Sequence, residues 1–96
     1  SRMKDYYDLY YLVTYKKFSK DNLKKAIENT FLKRNTDLKM IDKVILEIGR
    51  SDFIKELWIT YSLKYQYAKN IDFKKIIESF KIIREIIEEE NLLIIK

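Results

Sequence analysis

A chain of 96 residues has room for one small domain around one core. It holds no Cys and no His, which removes disulfides, thiol nucleophiles, histidine bases and the usual zinc sites together. Its net charge of +5 is mildly basic, which fits either a lysine-rich solvated surface or an attraction for phosphate and nucleic acid. The balance of 47% hydrophobic and 36% charged residues is that of an ordinary folded protein. With no Pro and a single Gly, the chain favours long helices joined by short polar links over a turn-rich β fold. The expected fold class is therefore all-α, a single bundle of about five amphipathic helices. No apolar run is long enough to span a membrane and no signal peptide is visible, so the expected location is the cytoplasm, with no membrane partner.

The first predicted helix runs from about Met3 to Lys16 or Lys17. It is apolar or aromatic almost all the way round, through Tyr6, Tyr7, Leu9, Tyr10, Tyr11, Leu12 and Val13. A helix of that kind is normally enclosed on every side. Asp8 in its middle therefore needs a partner or a job. At 100° per residue Asp8 lies about 40° from Lys4 and about 60° from Asp5, so the three charged side chains crowd one sector.

Ser19 is the expected N-cap of the second helix, with Phe18 and Leu23 at hydrophobic-staple positions. That helix runs from about Lys20 to Lys33 or Arg34. Leu23, Ala26, Ile27, Thr30, Phe31 and Arg34 fall on one face. Asn35 to Asp37 should break it by competing for backbone hydrogen bonds. A short third helix follows, about Leu38 to Ile48, with the stripe Leu38, Ile41, Val44, Ile45 and Ile48. Gly49 is expected as its left-handed C-cap.

Ser51 or Asp52 should cap the fourth helix, which is expected to reach about Ala68. Its inner face is Phe53 or Ile54, then Leu57, Trp58, Tyr61, Tyr65 and Ala68. Asp72 should cap the fifth, with Ile71 and Ile76 at staple positions. Phe73, Ile76, Ile77, Phe80, Ile83 and Ile87 form its stripe, widened by Ile82 and Ile86. Glu88 to Glu90 meet an unfavourable dipole at its C-terminal end, so fraying is expected there. The expected core comprises Leu9, Leu12, Ile27, Phe31, Val44, Leu57, Trp58, Ile76 and Phe80.

Four stretches also carry a resemblance. RMKDYYDLYYL resembles the last motif of the AbiEii/AbiGii-type nucleotidyltransferase toxins, of the form R-x-K-D-x-x-D-L. FSKDNLKKAIENTFLKRNT is similar to that family's F-x(4)-L-x-x-A-I-x-x-T-F-x-x-R-x-T segment. LWITYSLK and DFKKIIESFKIIREII resemble the Trp-containing helix and the closing helix that follow. The likeness covers nearly the whole chain in the right order. It implies a C-terminal helical domain of a prokaryotic type IV toxin–antitoxin, phage-defence nucleotidyltransferase, and the chain reads as a piece of something longer.

The resemblance implies that Lys4, Asp5 and Asp8 enter an active site at a junction with an upstream catalytic domain. Lys4 would sit near nucleotide phosphates. Asp5 would orient that lysine or approach the metal and nucleotide region, and Asp8 would be more internal, holding the motif. Read from the residues alone, the same cluster is a helix-start charge group with Lys4 paired to Asp8 at i,i+4. Thr30 and Arg34 match the family's T-F-x-x-R and are expected on the scaffold or substrate side. Arg34 either caps its helix or pairs with a carboxylate of the first helix. Lys16, Lys17, Lys20, Lys24 and Lys25 cluster at one corner, which is either solvated or tracks an RNA backbone. The tyrosines suggest core and interface more than base stacking.

The Gly-rich nucleotide loop and paired Asp metal ligands of a polymerase-β-like transferase are missing from this stretch. The chain is therefore not expected to be catalytic alone, and no metal site is expected within it. The resemblance implies Mg²⁺ and a nucleoside triphosphate for the whole protein. It also implies an upstream catalytic domain, a tRNA or other RNA acceptor and a cognate antitoxin as partners. The alternative is a free-standing helical module that binds RNA or a protein.

Overall fold

The computed structural model describes residues 2–31 and 40–89. Among them are five α-helices and no strand: α1 (Arg2–Tyr15), α2 (Lys20–Phe31), α3 (Ile41–Gly49), α4 (Asp52–Lys64) and α5 (Phe73–Glu89). A short 3-10 turn, Gln66–Ala68, links α4 to α5. The all-α bundle is thus the observed architecture.

The helix starts follow local chemistry. The Asn22 amide donates to Ser19 Oγ at 3.1 Å, the Ile54 amide to Ser51 Oγ at 3.1 Å, and the Lys75 amide to Asp72 Oδ1 at 3.0 Å. Each side chain satisfies an amide that has no partner inside its helix. Phe18 and Ile71 pack against the core from the residues just before two of these caps, as hydrophobic staples should.

α1 and α5 form the centre. α1 packs on α2, α5 and α4, while α3 lies against α5 and α2. The core-facing residues of α1 are Met3, Tyr6, Leu9 and Val13. Those of α5 are Phe73, Ile76, Ser79, Phe80, Ile83 and Ile87, spaced so that one stripe turns inward. The Phe80 ring meets Tyr6 edge-on at 5.0 Å and Phe31 edge-on at 4.8 Å, tying α5 to both α1 and α2. Trp58 is fully enclosed and donates its indole N–H to the Ile71 carbonyl at 2.7 Å.

Several expectations needed tertiary correction. Gly49 is not a left-handed cap: among the described residues no glycine has positive φ, and α3 ends on Arg50 in a right-handed conformation. The left-handed cap belongs to α1 instead. Lys16 has φ of 53°, and the Lys17 amide reaches the Leu12 carbonyl at 3.1 Å while the Lys16 amide reaches Val13. That is a Schellman ending built without glycine.

α4 stops at Lys64, not near Ala68, because Tyr65 turns extended. The break returns the chain so that Ile71 can accept from Trp58 and Tyr67 can reach Tyr61. Leu57 and Phe53 point outward, and Ile54 takes the inner position. The inner sector of α4 is already filled by Trp58, Tyr61 and Ser62. Leu12 and Val44 are half-buried, and Ile82 is exposed. α5 remains helical through Glu89, where Arg84 Nη1 reaches Glu88 at 3.0 Å and offsets part of the unfavourable dipole. The same arginine bridges to Asp42 of α3, its Nη2 donating to Oδ2 at 3.0 Å. Arg34, the Asn35–Asp37 break, Leu38 and the tail beyond Glu89 lie outside the described residues.

Candidate functional site

α1 is enclosed on the side of Met3, Tyr6, Leu9 and Val13 and open along the opposite crest. Lys4, Asp8, Tyr11 and Tyr15 follow one another there at spacings of three and four, so they share that crest. Tyr11 is 39% and Tyr15 57% exposed. The crest borders a groove whose lining includes Lys4, Tyr7, Asp8, Asn29, Lys25 and Tyr67. α1 supplies one wall and α2 the other.

Lys4 Nζ donates to both carboxylate oxygens of Asp8, at 3.2 and 3.1 Å. This bidentate hold, more than any other influence, pushes the Lys4 ammonium's pKa up and keeps it charged. The two side chains are 61% and 45% exposed, so the pair stabilises the fold by only about 0.2–0.5 kcal/mol. A pair of such small structural worth leaves the lysine free to exchange Asp8 for a better anion.

Asp5 is arranged differently. Its side chain does not line the groove, and its backbone carbonyl accepts from the Thr30 hydroxyl at 3.5 Å. Thr30 is buried, so it pins the start of α1 to α2 from inside. The carboxylate that holds Lys4 is Asp8, and Asp8 is half-exposed rather than internal. Of the lysine corner, Lys25 alone shares the groove with Lys4; Lys16, Lys17 and Lys20 stand exposed and Lys24 is half-buried.

An aromatic ladder, which spacing did not reveal, backs the groove. Tyr15 meets Tyr11 at 4.9 Å, Tyr7 meets Tyr67 at 4.6 Å, Tyr67 lies 5.6 Å from Tyr65, and Tyr61 meets both Tyr65 and Trp58. The Tyr61 and Tyr67 hydroxyls share a short hydrogen bond. Burial first, and that bond second, push the Tyr61 phenol well above the ordinary tyrosine range. Burial also raises Tyr7 and Tyr6; Arg2 lies close enough to the Tyr6 hydroxyl to offset part of that rise, though without a hydrogen bond of good geometry.

No group of three or more acidic side chains that would hold a metal ion comes together among the described residues. What the crest offers is a charged ammonium beside aromatic rings and amides.

Residues 1–89 match the family described as the nucleotidyl transferase AbiEii toxin of type IV toxin–antitoxin systems. The chain belongs to the AbiEii family. No curated protein and no solved structure matches it. AbiEii membership supports nucleotidyl transfer within a type IV toxin–antitoxin pair, and so implies a cognate antitoxin. Nucleotidyltransferases generally need a nucleoside triphosphate and a divalent metal ion. No helix among the described residues is long and apolar enough to cross a membrane.

Proposed function

We propose that this chain is the C-terminal helical domain of an AbiEii-type nucleotidyltransferase toxin, inactive alone, which presents Lys4 to an active site completed by an upstream catalytic domain. The observation that carries this reading is Lys4 itself. It stands on the open crest of α1, charged, beside a groove, and among the described residues it is held by the half-exposed Asp8 carboxylate. In the assembled site its ammonium faces nucleotide phosphates and neutralises charge there. Asp8 keeps the lysine extended until phosphate replaces it. Asp5 lies next to it at the domain junction, and Thr30, buried against the Asp5 carbonyl, fixes the angle at which the motif leaves the bundle. Arg34 is assigned to the scaffold side.

Metal ions and triphosphate belong to the upstream Gly-rich loop and paired aspartates in this reading. The exposed flank of α1, Tyr11 above all, is covered by that catalytic domain, consistent with aromatic area left open in an otherwise packed helix. The acceptor is an RNA, approached by the lysines of the Lys16–Lys25 corner.

The test is made in the whole protein. Lys4→Ala or Asp5→Ala should abolish nucleotide transfer and toxicity while leaving the unfolding midpoint nearly unchanged. Full transfer by the Lys4→Ala, Asp5→Ala double variant overturns the assignment. So does transfer by the isolated chain with any triphosphate.

A further inference from the structure

α4 is apolar on two faces. Trp58, Tyr61 and Ser62 fill the inner one, yet Phe53 is 73%, Leu63 74% and Leu57 39% exposed on the outer one. Nothing in the nucleotide-site reading uses them, since that site lies on α1. On a helical projection centred at Thr60, Phe53 falls at about 20°, Leu57 and Leu63 at about 60° to either side, and Glu56 and Lys64 at about 40° to either side. All lie within one sector of the width that a packed helix buries.

The order along this sector is self-complementary. Leu57 and Leu63 stand three residues before and after Thr60, and Glu56 and Lys64 stand four before and after. Turn a second helix antiparallel about Thr60 and each Glu56 comes level with Lys64 of the other copy, and each Leu57 with Leu63. Within one chain these charges cannot meet, being eight residues apart, about 12 Å along the axis. Glu56 makes no ion pair among the described residues, and Lys64 does no more than lie 5.5 Å from the Tyr65 ring centre.

We infer that the outer face of α4 is a homodimer interface, pairing two copies antiparallel about a two-fold axis at Thr60. A partner recognised only by apolar contact would not need opposite charges placed symmetrically about the centre. In a two-fold interface each residue meets its symmetry complement, so opposite charges at equal distances on either side of the axis pair twice. Two such faces bury on the order of 1,000 Å², near the lower limit for a specific interface, so the dimer should be weak and concentration-dependent. Facing apolar residues provide the contact, and the Glu56–Lys64 pairs set direction and register.

Sedimentation equilibrium of the chain from micromolar to millimolar concentration tests this, with circular dichroism to confirm that each variant is folded. The wild type should show a monomer–dimer equilibrium. Leu63→Glu should leave a monomer at every concentration, and Lys64→Glu should weaken the dimer about tenfold or more by setting like charges level. The Glu56→Lys, Lys64→Glu double variant should recover most of the loss. All positions are exposed, so the fold should survive each change. A wild-type monomer throughout overturns the inference. A dimer indifferent to Leu63→Glu overturns it too, as does a double variant no better than Lys64→Glu alone.

Discussion

Truncating Trp58 should remove the largest single contribution to this fold. The indole is fully buried, with the Tyr61 ring tilted against it at 5.4 Å and Ile71 accepting its N–H. A buried Trp covers about 150–250 Å², worth roughly 4–6 kcal/mol at 25 cal/mol per Å² as an upper estimate. Measured Trp truncations run to about 3–5 kcal/mol, because the cavity collapses only in part. Set against a typical domain stability of about 5–15 kcal/mol, Trp58→Ala should bring the chain close to unfolding. Trp58→Phe separates the terms. It keeps a ring in the cavity but leaves the Ile71 carbonyl without its donor, which should cost about 1–3 kcal/mol. Urea denaturation followed by circular dichroism measures both, since removing the chain's one tryptophan also removes its fluorescence. A loss below about 1 kcal/mol for Trp58→Ala would refute the reasoning and place the indole outside the core.

Lys16→Gly should stabilise the chain by about 0.5–1 kcal/mol, because a left-handed conformation strains every residue with a Cβ while glycine adopts it freely. A lower denaturation midpoint in that variant would mean that the α1 ending is held by the lysine side chain. Alkaline pH should destabilise the fold through Tyr61. Its folded pKa is raised above the ordinary tyrosine value of 10.0, so the unfolded chain releases the proton first, and stability present below about pH 10 is lost as pH rises towards the folded value. Tyr61→Phe should flatten that decline in denaturation midpoints measured on either side of pH 10, and an equally steep decline would contradict it.

The helices were legible because their signals are local. Alternating apolar spacings mark the inner faces of α2, α3 and α5, and Ser19, Ser51 and Asp72 reach amides only three residues away. The pairing of Lys4 with Asp8 is of the same kind, one helical turn apart. By itself the sequence thus determined the fold class, the N-caps at Ser19, Ser51 and Asp72, most of the core and the family. It did not determine which of two apolar faces turns inward on α1 or α4, because a helix apolar all round carries no direction. Neighbours decided that: α5 and α2 claimed Tyr6 and Leu9, leaving Lys4, Asp8 and Tyr11 on the open crest. On α4 the large indole took the inner place and turned Leu57 out. The early end of α4, the Tyr61–Tyr67 bond and the Arg84–Asp42 bridge join residues whose only relation is spatial, so no local pattern announces them. The left-handed cap went to Lys16 and not to Gly49, because the docking of α1 and α2 sets where the chain must reverse, and the backbone there takes the residue it has.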